Sequence, residues 1–393
     1  MVACAFGACR PGLGRPSART PVEAMSFSAA DGEFMARALE LARRGLYTTT
    51  PNPRVGCVIV MDGAVIGEGW HEMAGQPHAE VNALADVARK VGAGATARGA
   101  TVYVTLEPCS HHGRTPPCAD ALIDAGITRV VAAMRDPNPQ VAGEGLARLE
   151  LAGVRVDSGL MDDAARELNI GFVSRMSRGR PWLRLKVAAS LDGKTALNNG
   201  RSQWITCAEA RRDAHAWRAR SCAMLTGIGT VRDDDPRLTV RDIDTPRQPL
   251  RVVVDSRLEI PLDAAILDGG NCLVACAVED AAKVAQLRQR GVDVLVLPNA
   301  VGKVDLPALL TELGRRGINE VMAEAGFRLN GSLLREDLVD ELLIYQAPLL
   351  LGDKARGMFA LPELEDLAGA RRLEVLERHV FGTDFFLRAR LRD

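Results

Sequence analysis

Two successive α/β domains are the fold that the sequence predicts, and three observations predict it. The chain has 393 residues, 47% of them hydrophobic, whereas one core usually stops growing at roughly 250 to 300 residues. From Arg54 onward, strand-like and helix-like segments alternate, the pattern of a sheet covered on both faces. That rhythm stops at SRGRP, residues 177–181, and then restarts. The expected organisation is an extension over residues 1–24, a first domain over 25–176, a linker over 177–181 and a second domain over 182–393.

The opening segment MVACAFGACRPGLGRPSARTPVEA is rich in small residues and arginine and lacks the long apolar stretch of a secretory signal. An organellar transit peptide is one reading and a misassigned upstream start is another. The second is favoured because Met25 directly precedes a helix expected over 34–44, capped by Asp31, with Phe34, Ala38, Leu41 and Ala42 on one face. RVGCVIV and AVIGEGW, meeting at Asp62-Gly63, read as a hairpin, and HAEVNALADVARK reads as a helix. The β-branched run TVYVTL follows, then a helix at 119–124, a strand RVVAAM, a helix before Gly153, a short strand at Arg155 and one helix over 164–176. In the second half, LRLKVAA, CAMLTG, LRVVVD, NCLVAC, DVLVLP, EVMAEAG and ELLIYQA read as strands, with helical stretches between several of them.

With 49 basic against 50 acidic residues and a net charge of -1, nothing in the balance points to a nucleic-acid or anionic-membrane partner. Aromatics, at 4%, are too sparse for a base-stacking platform. No apolar run approaches the roughly 18 residues that span a bilayer. Nine cysteines without close regular spacing fit a reducing cytoplasm better than a secreted disulfide scaffold. Cys57, Cys207, Cys222, Cys272 and Cys276 read as small hydrophobes.

The strongest chemical signal is His78-Ala79-Glu80 at a helix start, followed by Pro108-Cys109 and Cys118. One imidazole and two thiolates suit tetrahedral zinc with one position left for water, a catalytic arrangement that also acidifies that water. Glu80 is then free to move protons, as the non-ligand glutamate does in zinc deaminases. The usual deaminase signature has P-C-x-x-C, and here the second half is stretched to CSHHGRTPPC. That insertion resembles PCSHxGRTPPC of the bifunctional riboflavin-biosynthesis deaminase-reductase family. The resemblance extends to NPRVGCVIV at Asn52, GEGWHEMAGQPHAEVNAL at Gly67, TVYVTLEPC at Thr101 and RDPNPQVAGEGLARLELAGV at Arg135. It implies a cytidine-deaminase-like α/β/α zinc domain in which His78, Cys109 and Cys118 hold Zn2+ and Glu80 shuttles the proton. His111 and His112 are ligands by type, but the family pattern puts them in the substrate loop; His71 is either a pocket residue or a satisfied loop histidine.

The second half lacks a Rossmann fingerprint, since Gly227-Ile-Gly229 has no third glycine. The same family resemblance carries it further, on KVAASLDGKTA at Lys186, SQWIT at Ser202, the stretch ARRDAHAWRARSCAMLTGIGTVRDDDPRLTVR at Ala210, EAGFRLNGSLLRE at Glu324 and LVDELLIYQAPLLLG at Leu338. It implies a dihydrofolate-reductase-like α/β domain that reduces a ribosyl side chain to ribityl with NADPH. By that resemblance Ser202, Arg218, Leu238, Arg241 and Glu324 would contact the pyrimidine ribotide, with arginine suited to its phosphate. Ala188, Trp204, Thr230, Asp234, Ser256, Gly326, Phe327, Arg328, Leu329, Asn330, Gly331 and Ser332 would line the NADPH site. Gly326, Asn330 and Gly331 are expected between a strand and a helix, with N–H groups toward a phosphate. Without the resemblance, Asp233, Asp234 and Asp235 would read as a solvated loop and Trp204 as a core aromatic. The match is thinnest over 260–304 and the last two dozen residues.

The expected partner is thus a small-molecule pyrimidine ribotide, with neither nucleic acid nor membrane; a homo-oligomer is compatible with all of this. Two rivals are a nucleoside or nucleic-acid deaminase with an inert second domain, and a zinc module whose metal only supports folding. The first lacks a strand-binding surface. The second would be expected to supply four protein ligands.

Overall fold

The computed structural model describes residues 27–91, 96–111 and 116–392; the expectations for residues 1–24, for a start at Met25 and for His112 lie outside the described residues. The first helix, α1 (Ala29–Arg43), starts earlier than expected, because Ser28 is its N-cap. Asp31 sits at the third helical position, and its carboxylate accepts from the Ser28 N–H at 2.8 Å while Ser28 Oγ accepts from the Asp31 N–H. Asp31 is therefore the far half of a capping box rather than the cap. Its other oxygen takes Tyr103 Oη at 2.6 Å and Arg129 Nη1 at 2.7 Å, which holds α1 on the sheet.

The expected hairpin is formed by β1 (Gly56–Met61) and β2 (Ala64–Trp70), turning through Asp62 and Gly63, whose φ values of 50° and 77° need residues tolerant of the left-handed region. Next come α2 (Ala79–Val91), β3 (Thr101–Val104), α3 (Cys118–Asp124), β4 (Arg129–Ala132), α4 (Glu144–Leu151) and β5 (Arg155–Ser158). The sheet runs β2-β1-β3-β4-β5, antiparallel about β1 and parallel from β3 to β5. The single helix expected over 164–176 is two, α5 (Asp162–Leu168) and α6 (Ile170–Arg178). They break at Asn169, whose amide brackets the Arg54 backbone, accepting from its N–H at 2.7 Å and donating to its carbonyl at 2.9 Å. Helix α6 runs through Arg178 and ends at Gly179 with φ 70°, so the linker proposed at 177–181 shortens to residues 179–181.

The second domain contains β6 (Trp182–Ser190), β7 (Lys194–Ala196), α7 (Ala208–Arg220), β8 (Ala223–Gly227), α8 (Ile228–Asp234), β9 (Leu250–Val254), β10 (Cys272–Cys276), α9 (Ala281–Gln289), β11 (Val292–Val296), α10 (Leu306–Arg315), β12 (Glu320–Ala323), α11 (Phe327–Arg335), β13 (Glu341–Ala347), β14 (Arg356–Gly357), β15 (Leu373–Phe381) and β16 (Asp384–Leu391). Its large sheet runs β11-β10-β9-β8-β12-β6-β13-β16-β15, parallel from β11 to β13 and antiparallel beyond. Every strand expected in this half is present. Strands β7, β14, β15 and β16 were not expected. Apolar side chains alternate to both faces: Leu183, Leu185 and Leu225 pack with α10 and α11, whereas Met224, Met322 and Tyr345 pack on the other side with Ala210 and Ala214 of α7. Among the described residues, no helix is long and apolar enough to cross a membrane.

A buried charge network joins the domains. Arg54, just before β1, places Nη1 2.6 Å from Glu320 Oε1 on β12. The other Glu320 oxygen takes Arg220 Nε at 2.8 Å and Arg184 Nη1. Arg184 Nε continues to Glu341 at 2.9 Å, Arg388 joins Glu341 at 2.7 Å, and Arg388 and Arg390 reach back to Glu167 on α5. Arg184, Glu320 and Glu341 are fully buried. A Cβ on Gly171 of α6 would lie 2.3 Å from Glu320 Cγ, so the interface depends on a glycine there.

This network sets an acid limit. Burial alone would raise the Glu341 carboxyl, but Arg184 and Arg388 hold it at about 2, against 4.5 ordinarily. Glu320 is depressed in the same way, by Arg220, Arg54 and Arg184 working against burial. A depressed carboxyl binds fewer protons folded than unfolded, so its contribution is complete above the ordinary value and is lost as pH falls through the folded one. Urea midpoints should hold down to about pH 5 and drop between about pH 4.5 and pH 2. A midpoint flat across that window would exclude the network as a source of stability.

Candidate functional site

The His78 backbone carbonyl accepts from Asn82 N–H at the start of α2, which puts the His78 ring and Glu80 at one helix end. Cys109 follows β3 through Thr105 to Pro108, and Cys118 opens α3. The structure brings the three expected ligands together, with ligand atoms all within 4.8 Å of one another. His78 Nδ1 lies 3.6 Å from Cys109 Sγ and 3.3 Å from Cys118 Sγ. Tetrahedral zinc, with Zn–S of about 2.3 Å and Zn–N of about 2.0 Å, requires an N-to-S edge of about 3.5 Å, so the donor set fits that ion.

Cys109 Sγ accepts from the Cys118 N–H at 3.3 Å, and hydrogen bonds from Cys118, assisted by His78 and opposed by burial, lower its pKa. Glu80 is 3% exposed, and burial, reinforced by the nearby Cys109 charge, lifts its carboxyl to about 7. A buried carboxyl beside the ligand set is placed to take a proton and to return it.

His71 packs edge-on against His78 with ring centroids 5.4 Å apart. Its Nδ1 lies 3.1 Å from the Pro77 carbonyl and so must donate, which leaves Nε2 to accept from Asn52 Nδ2 at 3.1 Å. Burial lowers its pKa, which fits this neutral form. Asn52 and Asp136 were not singled out from the sequence. Asp136 lines a small cleft with Cys109, Ser110, His111 and Val141, and its signal in the sequence was the family-like stretch that starts at Arg135.

In the second domain, residues after β8 and β12 meet at the carboxyl ends of parallel strands, where the strand order reverses, the usual ligand crevice of an open α/β sheet. Glu324 follows β12. Arg218 of α7 grips it in a fork, Nε to Oε1 at 2.6 Å and Nη2 to Oε2 at 3.0 Å, and Arg218 Nη1 donates to Thr239 O. Lys186 of β6 adds a contact at 3.3 Å. Burial opposes the charge on Glu324, but Arg218 and Lys186 hold its carboxyl well below the usual range. One turn back on α7, His215 Nδ1 accepts from the Arg241 N–H at 3.1 Å, and burial together with Arg218 and Arg241 lowers its pKa to about 4. Lys186 and His215 were missed; Arg184 and Lys186 on one face of an apolar strand were the readable signal.

Of the other expected residues, Ser202 Oγ donates to Asp234 at 2.8 Å, bringing a substrate candidate to a cofactor candidate. Leu238 is buried with φ 49°, while the Arg241 side chain is exposed. Asp233 binds Arg356, and Asp235 accepts from Ala265 N–H, so the acidic run ends α8 and is bonded rather than a loose loop. Trp204 is 67% exposed with Arg211 over its ring, so it is no core aromatic. Ala188 lies on β6 beside Tyr345, and Ser256 Oγ accepts from the Val304 N–H. Gly326 is the N-cap of α11, beside Thr230, and it offers no side-chain cap to the first turn. Asn330 and Gly331 are inside that helix instead of before it: the Asn330 N–H is donated to Gly326 O, and a Cβ on Gly331 would lie 2.3 Å from Ala360 O. Free N–H groups there belong to the first turn, from Phe327. Arg328, Leu329 and Ser332 are on the same helix, Leu329 against Gly227 and Ser332 Oγ bonded to Arg328 O.

Comparison with known proteins gives two family matches: the cytidine and deoxycytidylate deaminase zinc-binding region over residues 28–134, and the RibD C-terminal domain over residues 181–387. The chain is 51% identical over 364 residues to the riboflavin biosynthesis protein RibD of Escherichia coli K12, covering 89% of this chain and 96% of that one. The structure is similar to form 1 of Acinetobacter baumannii RibD, with a TM-score of 0.85, 46% identity, and coverage of 93% of this chain and 99% of that one. It is also similar to a diaminohydroxyphosphoribosylaminopyrimidine deaminase/5-amino-6-(5-phosphoribosylamino)uracil reductase from Thermotoga maritima, with a TM-score of 0.82, 33% identity, and coverage of 92% and 99%.

Proposed function

The chain belongs to the RibD family of riboflavin biosynthesis proteins, with a deaminase domain followed by a reductase domain, and from that premise we propose the two reactions it performs. The first is hydrolytic deamination of 2,5-diamino-6-(5-phosphoribosylamino)pyrimidin-4-one. The second is NADPH-dependent reduction of the ribosyl side chain, giving 5-amino-6-(5-phosphoribitylamino)uracil. The observation that carries the reading is the meeting of His78, Cys109 and Cys118 at zinc-like spacing with a buried carboxyl beside them.

In the deaminase, His78, Cys109 and Cys118 would hold zinc, and the chemistry it would supply there is acidification of a bound water. Glu80 takes the proton from the attacking water onto a carboxylate oxygen and returns it to the departing amino nitrogen. His71, locked neutral by Pro77 and Asn52, shapes the wall beside His78. In the reductase, NADPH supplies the hydride, and the protein positions the acceptor carbon. The uncapped first turn of α11 suits a cofactor phosphate. Arg218 is committed to Glu324 and Thr239, so of the two expected arginines the exposed Arg241 is the one left open to the substrate phosphate.

The test is incubation with the diaminopyrimidinone ribotide and NADPH, reading ammonia and NADPH oxidation together. Ammonia should appear with ribotide alone, and NADPH should be consumed as deaminated ribotide forms. Absence of ammonia from the ribotide would overturn the assignment. Arg218→Ala should slow NADPH oxidation on deaminated ribotide by at least about tenfold, because it strips the bidentate partner from a buried carboxylate, while ammonia release stays unchanged. Equal loss of both activities would refute that separation.

A further inference from the structure

Glu107 lies two positions before Cys109 and is 5% exposed, yet among the described residues its carboxylate has no cationic hydrogen-bond partner. It accepts instead from backbone N–H groups of one segment: Oε2 from Asp136 at 3.0 Å and Gly143 at 2.9 Å, Oε1 from Gly145 at 2.9 Å and Leu146 at 3.4 Å. Its own N–H is donated to Met134 O. The segment leads from β4 into α4, whose N-cap, Gly143, has φ 86° and no side-chain cap. A carboxylate far away in the chain therefore takes over the capping that a local Ser or Asp normally provides.

The approach is close. A Cβ on Gly145 would lie 1.8 Å from Pro108 O, so the segment is pressed onto the two residues preceding a metal ligand. Across the small cleft at that junction, Asp136 and Val141 face Cys109, Ser110 and His111. A buried carboxylate is costly unless it is fully hydrogen-bonded, and a local cap would satisfy α4 at lower cost. What a local cap would not do is tie the 136–146 segment to the ligand-bearing loop.

We propose that Glu107 is a positioning residue of the deaminase: it holds Asp136 and the rim at 136–141 against the metal-ligand loop, at the separation that receives the substrate. The inference rests on the deaminase reading above. Glu107→Gln in the full chain keeps the volume, but its amide NH2 must face N–H donors, so half of the tether is lost. Zinc content and NADPH oxidation on deaminated ribotide should match wild type. Amide exchange at Asp136, Gly143 and Gly145 should accelerate, and KM for the ribotide in ammonia release should rise on the order of tenfold with a smaller fall in kcat. Glu107→Asp, which keeps the charge on a shorter arm, should fall between the two. Adding Asp136→Ala to Glu107→Gln should cost less than Asp136→Ala costs in the wild type, because the two act through one placement.

The proposal is overturned by full additivity in that cycle, by a KM unchanged from wild type, or by loss of zinc in Glu107→Gln and Glu107→Asp alike. Should wild type release no ammonia from the ribotide, the deaminase reading fails instead. Unchanged amide exchange would then still overturn the tether itself.

Discussion

Glu80→Gln is expected to cut ammonia release by roughly 10²- to 10⁴-fold, the usual contribution of general acid–base catalysis, and to leave zinc binding and the reductase intact. The carboxyl is buried beside the His78–Cys109–Cys118 cluster without being part of it. Gln matches its shape but neither accepts nor returns a proton. Loss should fall on kcat and kcat/KM together, since proton transfer is made in the transition state. The reductase crevice belongs to a different sheet, so deaminated ribotide and NADPH should react at the wild-type rate. Metal analysis, ammonia release and NADPH oxidation on the same preparation decide it. A zinc-free Glu80→Gln protein would show that the carboxyl supports the metal site instead of moving a proton.

Glu320→Ala should be the most destabilising single change in the domain interface. It removes the carboxylate shared by Arg54, Arg184 and Arg220, with side chains 8%, 0% and 14% exposed. Breaking a buried ion pair by deleting one partner typically costs about 3 to 5 kcal/mol, because the remaining charges stay buried and uncompensated. Arg54→Ala, which leaves Glu320 with two guanidinium partners, should cost less. Urea unfolding followed separately by ammonia release and NADPH oxidation tests both, since a two-domain chain need not unfold in one step. Glu320→Ala should lower both midpoints, whereas a loss confined to the reductase would show that the network does not tie the domains together.

Local pattern was enough for most elements because their burial is periodic. RVGCVIV and AVIGEGW are read as a hairpin from apolar runs around Asp62-Gly63, and that is the pairing observed. Strand β15 left no such trace, because it is solvent-exposed along its length and alternation carries no signal there. The split at Asn169 was equally illegible, since its partner Arg54 lies 115 positions away. Among site residues, His78 and Glu80 were readable from spacing at a helix start and Cys109 and Cys118 from a motif. Asp136 and His215 acquire their places only from the neighbours the fold supplies.

The sequence by itself determined two α/β units and the residue types able to hold zinc and move a proton. Tertiary structure alone decided how charged residues inside strands are compensated. Arg184 and Glu341 are register partners on adjacent strands, and Arg54 arrives at Glu320 from the other domain. It also decided that Arg218 is spent on Glu324 and that Glu107 caps a helix from afar. The physical reason is range. Apolar burial repeats with the period of each element and so is written locally, whereas a buried charge is satisfied by whichever group the fold brings within hydrogen-bonding distance, at no fixed separation along the chain.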